Sequence, residues 1–184
     1  MTVAAHQYLG GWEVCADTLQ YALENHGVFR TRGSLSRAQH RGYKQRRKVL
    51  VLTERTEHLN SIVAALNGKV PALTVLHGRL AKKLRATLIA ELEALPSDAP
   101  RVLLATGKLV GEGFDHPPFD TLVLAMPVSW RGTLQQYAGR LHREHATKTD
   151  VRIIDFVDTG HPALLRMWDK RQRGYKAMGY RIAE

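Results

Sequence analysis

Residues 48–76 read KVLVLTERTEHLNSIVAALNGKVPALTVL, and this stretch decides the fold. Val49–Leu52 is an unbroken apolar run, the pattern of a strand covered on both faces. Leu59, Ile62, Val63 and Leu66 then recur at helical spacing, and Gly68 follows as a stop. Val70–Leu76 reads as a second strand. A strand, a helix and another strand in so few residues predict a right-handed crossover between parallel strands.

The same alternation continues downstream. Leu80, Leu84, Leu88, Leu92 and Leu95 make a helical stripe that ends at Pro96. Val102–Ala105 and Leu122–Ala125 read as strands, Thr133 as the cap of a helix carrying Leu134, Tyr137, Ala138 and Leu141, and Val151–Val157 as a fifth strand. Pro162 opens a last helix with Leu165, Trp168 and Tyr175 on one side. The predicted fold class is α/β, a parallel sheet with helices on both faces, spanning residues 48–184. Ligands of such sheets bind beyond the carboxyl ends of the strands. The loops after Leu52, Leu76, Ala105, Ala125 and Val157 are therefore the ones to watch.

Upstream the pattern is weaker. Residues 11–26 are compatible with a helix burying Trp12, Leu19, Tyr21 and Ala22. A connector with no sustained period follows, so residues 1–47 are expected to be an N-terminal helix and a basic linker. Arg30, Arg32, Arg37, Arg41, Lys44, Arg46, Arg47 and Lys48 form a basic run without an acid in a chain of net charge +10. Outside the run the charges nearly balance. A basic strip on a balanced body points to a polyanion, most often nucleic acid, and is equally compatible with a solvated linker.

Composition excludes several classes. No stretch approaches eighteen apolar residues, and the N-terminus MTVAAHQYLGGWEV has no signal-peptide pattern. Cys15 is a single cysteine, which suits a reducing cytoplasm.

Two loops carry candidate chemistry. The first, after the third strand, is Ala105-Thr106-Gly107-Lys108-Leu109-Val110-Gly111-Glu112-Gly113-Phe114-Asp115. Its glycines let backbone amides approach an anion, and Thr106 and Asp115 add a hydroxyl and a carboxylate. Alone it is equally a structural turn. The second motif is Gln136-Tyr137-Ala138-Gly139-Arg140-Leu141-His142-Arg143. Helical spacing puts Gln136, Gly139, Arg140 and Arg143 on adjacent faces, with Gly139 removing bulk where something must pack closely. Two arginines about one turn apart can fork onto one polyphosphate. His142 and His145 lack the order and spacing of a metal site, so no metal is expected. Trp130 reads as packing more readily than as a base platform. Arg166, Lys170, Arg171, Arg173 and Lys176 on the final helix read as a solvated face, with a DNA contact as the alternative.

Taken in order, T-x-x-x-x-G-x-G-F-D, a strand, and Q-x-x-G-R-x-x-R resemble motifs V and VI of superfamily 2 helicases of the DEAD/DEAH type. Thr53-Glu54-Arg55 after the first strand resembles motif IV. SWRGTLQQYAGRLHRE is similar to bacterial helicases of the restriction-enzyme and repair type. The resemblance covers about Lys48 to Asp158. It implies a RecA-like C-terminal motor domain, with Arg140 and Arg143 facing the triphosphate of ATP and Gln136, Gly139, Asp115 and Gly113 lining the same cleft. It also implies nucleic-acid contacts at Thr106, Gly107, Lys108, His77 and Gly78, to which the basic run adds Arg41, Arg46 and Arg47. DNA is the expected nucleic acid.

A complete motor also needs G-x-x-x-x-G-K-[ST] for the phosphates and a strand-end Asp-Glu for Mg2+. Gly68-Lys69 is followed by Val70 and Gly107-Lys108 by Leu109, and the sequence contains no Asp-Glu pair. ATP with Mg2+ is therefore expected to be held mainly by an N-terminal P-loop domain of a longer protein, this chain alone being inactive. The alternative is a non-enzymatic nucleic-acid-binding module. A dinucleotide-binding oxidoreductase is disfavoured because His116 stands where its third glycine belongs.

Overall fold

The computed structural model describes residues 1–8, 18–19, 21–22, 47–70, 72–107, 114–126, 128 and 134–183. Among them run seven strands, β1 (Thr2–Tyr8), β2 (Lys48–Thr53), β3 (Leu73–Leu76), β4 (Arg101–Thr106), β5 (Thr121–Leu124), β6 (Arg152–Asp158) and β7 (Arg181–Ala183). Four helices connect them: α1 (Thr56–Leu66), α2 (Lys82–Ala94), α3 (Gln135–Leu141) and α4 (Pro162–Ala177). The strands form one sheet in the order β3-β4-β2-β5-β6-β1-β7, and every pairing is parallel. This is the RecA-like α/β architecture expected.

The parallel pairing explains the apolar runs. Alternate residues of each strand feed two cores, one on each face. Leu50, Leu52, Leu103, Leu122, Leu124 and Ile153 face α3 and α4, packing with Tyr137, Leu141, Trp168 and Tyr175. Val49, Val51, Val102, Leu104, Val123, Ile154 and Phe156 face α1, packing with Leu59, Ile62 and Leu66.

Several expectations are corrected. The N-terminus was expected outside the sheet, yet β1 pairs with β6 from Thr2↔Arg152 to Tyr8↔Asp158. Its THR-VAL-ALA-ALA-HIS-GLN-TYR sequence, Thr2–Tyr8, buries only Val3 fully, so no apolar run marks it. Leu19 and Ala22 are buried as expected, but Tyr21 is 63% exposed; Trp12, Cys15 and the basic run up to Arg46 lie outside the described residues. β3 starts at Leu73 and not at Val70, because Ala72 takes φ 43 and breaks the extended chain. In α2 only Leu92 is fully buried and Leu84 is exposed, since the helix covers the edge of the sheet. In α4 the buried residue is Leu164, not Leu165.

Helix ends follow local chemistry. Gly68 at φ 69 closes the turn after α1, and Gly179 at φ 84 does so after α4, where a β-carbon would be strained. Pro162 sits in the first turn of α4, and the His161 ring accepts a bond from the Ala163 amide at 3.2 Å. Among the described residues no helix is long and apolar enough to cross a membrane.

Candidate motor and nucleic-acid site

Because all strands are parallel, the sheet has one carboxyl edge and one amino edge. The expected site residues divide between them. Thr53 and Thr106 end adjacent strands in register at the carboxyl edge. Gly107 follows there, with His77 and Gly78 at the end of β3. Thr106 is 8% exposed and Thr53 is fully buried. The Thr53 hydroxyl lies 2.6 Å from the Nδ1 of buried His58, which ties β2 to α1. Nδ1 of His77 is buried without a hydrogen-bond partner among the described residues. Lys108, Gly111 and Gly113 lie outside the described residues.

The chain then descends to the amino edge. His116 lies 3.2 Å from the Arg101 guanidinium at the start of β4, and the Asp120 amide donates to the Lys48 carbonyl at the start of β2. Asp115 is therefore near the amino edge. α3 runs antiparallel to the strands, as a crossover helix must, and its last turn reaches the same place. There Arg143 Nη1 lies 3.0 Å from Asp115 Oδ2, in an ion pair whose arginine side chain is 60% exposed. Arg140 donates from Nη1 to the Phe114 carbonyl. The arginines and Asp115 thus gather at the amino edge, not beyond the carboxyl ends where ligands were expected.

α3 is held from both ends. Tyr137 is buried and donates its hydroxyl to the Gly107 carbonyl. A β-carbon on Gly107 would come within 3.0 Å of that hydroxyl and 2.9 Å of the Met126 methyl, so a larger residue would have to push the end of Met126 aside. Lys148 Nζ donates to the Leu141 and Arg143 carbonyls at 2.9 and 2.6 Å, satisfying groups that a helix end leaves open. His142 Nε2 lies 2.8 Å from the Tyr180 hydroxyl. Gln136, Gly139 and Arg143 face solvent. Among the described residues nothing lies within 4 Å of a β-carbon built on Gly139, which leaves that face of α3 open.

Burial shifts several titrating groups on and around α3. It lowers the Lys148 and His142 pKa and raises that of Tyr137. Burial, and next the Arg101 charge, lower the His116 pKa to about 4. The geometry agrees, since a guanidinium only donates and His116 Nε2 must offer a lone pair.

Arg47, expected as a nucleic-acid contact, and Arg171, expected on a solvated face, are instead parts of the fold. Arg47 is 7% exposed and pairs with Asp120 at 3.4 Å and Asp150 at 2.6 Å. Arg171 is 2% exposed, not solvated: it forks onto Asp155 at 2.8 and 3.0 Å and donates to the Val128 carbonyl at 2.8 Å. Periodicity did not show this, because the acid that draws each arginine inward is distant in sequence. Conversely, Arg79, Lys82 and Lys83 are exposed at the carboxyl edge beside Gly78 and were not singled out. Their signal was four cations within residues 79–85. Among the described residues no group of His, Cys, Asp or Glu could hold a metal.

A parallel seven-stranded sheet flanked by helices on both faces defines a RecA-like α/β domain. The chain belongs to the family described as Helicase conserved C-terminal domain, which matches residues 33–145. It is 40% identical over 85 residues to uncharacterized protein 108L of Invertebrate iridescent virus 3, covering 45% of this chain and 74% of that protein. Its fold is similar to the C-terminal domain of the DEAD-box protein Dbp5, with TM-score 0.66, 15% identity, 98% of this chain and 88% of that one. It is also similar to S. cerevisiae Dbp5 bound to RNA and ADP BeF3, with TM-score 0.63, 15% identity, 99% of this chain and 41% of that one. The chain thus spans less than half of that longer helicase structure.

Proposed function

We propose that this chain is the second motor domain of an ATP-driven nucleic-acid helicase or translocase, acting on DNA. In this reading Arg140 and Arg143 meet the triphosphate of ATP gripped by an N-terminal P-loop domain of the same longer protein. Gln136, Gly139, Asp115 and Gly113 line the shared cleft. Thr106, Gly107, Lys108, His77 and Gly78 contact the nucleic-acid backbone at the other edge, with Arg41 and Arg46 in support; Arg47, committed to Asp120 and Asp150, is left out. The observation that carries the reading is the Arg143–Asp115 pair: a guanidinium mostly in solvent, anchored beside Arg140 on an exposed edge. Such a cluster fits phosphate oxygens, which accept from the planar fork. In this reading Mg2+ is held mainly by the partner domain. The observed likeness of Dbp5 bound to RNA and ADP BeF3 supports a joint nucleotide and nucleic-acid role.

The test is Arg143→Ala in the longer protein. An exposed ion pair contributes at most about 1 kcal/mol to folding, whereas an arginine finger contributes about 10³–10⁵ in rate. Nucleic-acid-stimulated ATP turnover should collapse while the melting temperature and DNA binding hold. Turnover above about a tenth of wild type, far more than finger removal leaves, would show that Arg143 is a solvated residue. Arg143→Lys should not rescue, because an ammonium lacks the fork.

A further inference from the structure

We propose that the exposed face of α4, with the groove beside it, is a second nucleic-acid contact that grips the sugar–phosphate backbone far from Thr106. The helix is two-sided. Leu164, Trp168, Arg171, Gly174 and Tyr175 are buried, whereas Arg166, Lys170, Arg173 and Lys176 are exposed. These four follow one another at helical spacing along about 15 Å, at 1.5 Å per residue. Arg181 on the edge strand β7 extends the row.

The row differs from the arginines that the fold holds in place. Arg47, Arg143, Arg152 and Arg171 each pair with a carboxylate, and Arg101 is buried against the Leu92, Pro96 and Ala99 carbonyls. None of the five cations of the row makes an ion pair among the described residues. Asp169 is the only acid within α4. Holding so many like charges together is unfavourable without an anion, and the complementary surface is a polyanion.

The groove adds a second feature. About 730 Å³ of space lies between α4 and the β1–β7 end of the sheet, lined in part by Gln7, Trp168, Gln172, Lys176 and Arg181. Two amides and two cations give donors for phosphate and sugar oxygens, the groups that most protein–DNA hydrogen bonds address. An anionic membrane would want an apolar face beside the charges, and the exposed side of α4 offers only Leu165 among its large apolar residues. Nucleic acid is therefore the favoured occupant.

The contact is separate from the one proposed at the carboxyl edge. β1 lies four strands from β4 in the sheet order. At about 4.8 Å per strand that is about 19 Å, or about six base pairs of duplex at 3.4 Å each. A backbone touching both would be held at two points, and the outer point does not depend on ATP chemistry.

The test uses this chain and a fluorescent 20-base-pair duplex, with affinity measured against salt concentration. Changing Lys170→Gln, Arg173→Gln and Lys176→Gln together should lower the log–log salt slope by about 2.7, at about 0.9 per phosphate, and weaken binding at low salt at least about tenfold. Lys69→Glu, beyond α1 on the opposite face of the sheet, should leave both unchanged. An unaltered slope and affinity in the triple variant, while Arg41→Glu with Arg46→Glu still weakens wild-type binding, would overturn this contact and leave the motor reading intact. Tighter binding to vesicles of phosphatidylcholine and phosphatidylserine than to duplex at equal salt would overturn it in favour of a membrane.

Discussion

Replacing Arg171 with methionine should cost this domain a large share of its stability. Arg171 makes three hydrogen bonds inside the fold: Nε to Asp155 Oδ2 at 2.8 Å, Nη2 to Asp155 Oδ1 at 3.0 Å, and Nη1 to the Val128 carbonyl at 2.8 Å. Asp155 is fully buried. In Arg171→Met its carboxylate keeps only the Tyr175 hydroxyl, which donates to Oδ2 at 2.8 Å. Removing one member of a buried pair costs about 3–5 kcal/mol, mainly because the remaining charge is stranded. Domains of this kind are stable by only about 5–15 kcal/mol, so the loss should lower the melting temperature by about 6–20 °C at about 2–4 °C per kcal/mol. Urea unfolding followed by far-UV circular dichroism, with the slope held constant, measures it. The argument makes a second demand. Asp155→Leu combined with Arg171→Met removes both charges and should recover most of the loss, short of about 1 kcal/mol each for the Tyr175 hydroxyl and the Val128 carbonyl left without partners. A cost below about 1 kcal/mol in the single variant, a typical surface value, or a double variant as unstable as the two single losses added, would refute the stranded-charge reasoning.

The chain by itself should release no phosphate from ATP, with or without DNA, as it carries no P-loop; turnover near the enzyme median of about 10 per second would sink the half-motor reading. Arg41→Glu with Arg46→Glu should flatten the salt dependence of DNA binding by about 0.9 per lost contact without lowering the melting temperature. Arg47→Glu should instead unfold the domain, since it sets a third acid beside buried Asp120 and half-buried Asp150; equal melting of Arg47→Glu and wild type would contradict the burial. His116 has a folded pKa of about 4 against an ordinary value of 6.5, so the unfolded chain binds the extra proton between these values. Its contribution is complete above about pH 6.5 and is lost as pH falls toward 4, a loss of order 2 kcal/mol. Melting from pH 7.5 to 4.5 should show this slope, and His116→Gln should flatten it in that window.

Much of the fold was legible because burial on both faces leaves unbroken apolar runs. Val49–Leu52, Val102–Ala105 and Leu122–Ala125 are strands for that reason, and Leu59, Ile62 and Leu66 of α1 are buried as their spacing predicts, with Val63 half-buried. β1 was not legible. Its Ala4, Ala5, His6 and Gln7 have little strand preference, and the strand is held by partners about 150 residues away, β6 among them. β7 is three residues long at an edge, too short to show a period.

The order of Thr106, Asp115, Gln136, Arg140 and Arg143, and the lack of a P-loop, were set by residue identity and spacing, because backbone approach and forked phosphate contacts need particular side chains at particular intervals. The tertiary structure alone decided which charges are free. Arg47 and Arg171 looked like members of basic runs, yet Asp120, Asp150 and Asp155 draw them inside, while Arg166, Lys170, Arg173 and Lys176 stay in solvent. Helical spacing says which residues share a face, but only packing says which face is covered. A buried arginine needs a carboxylate that the chain brings from another strand, and that meeting is written in the sheet order, not in the neighbouring sequence.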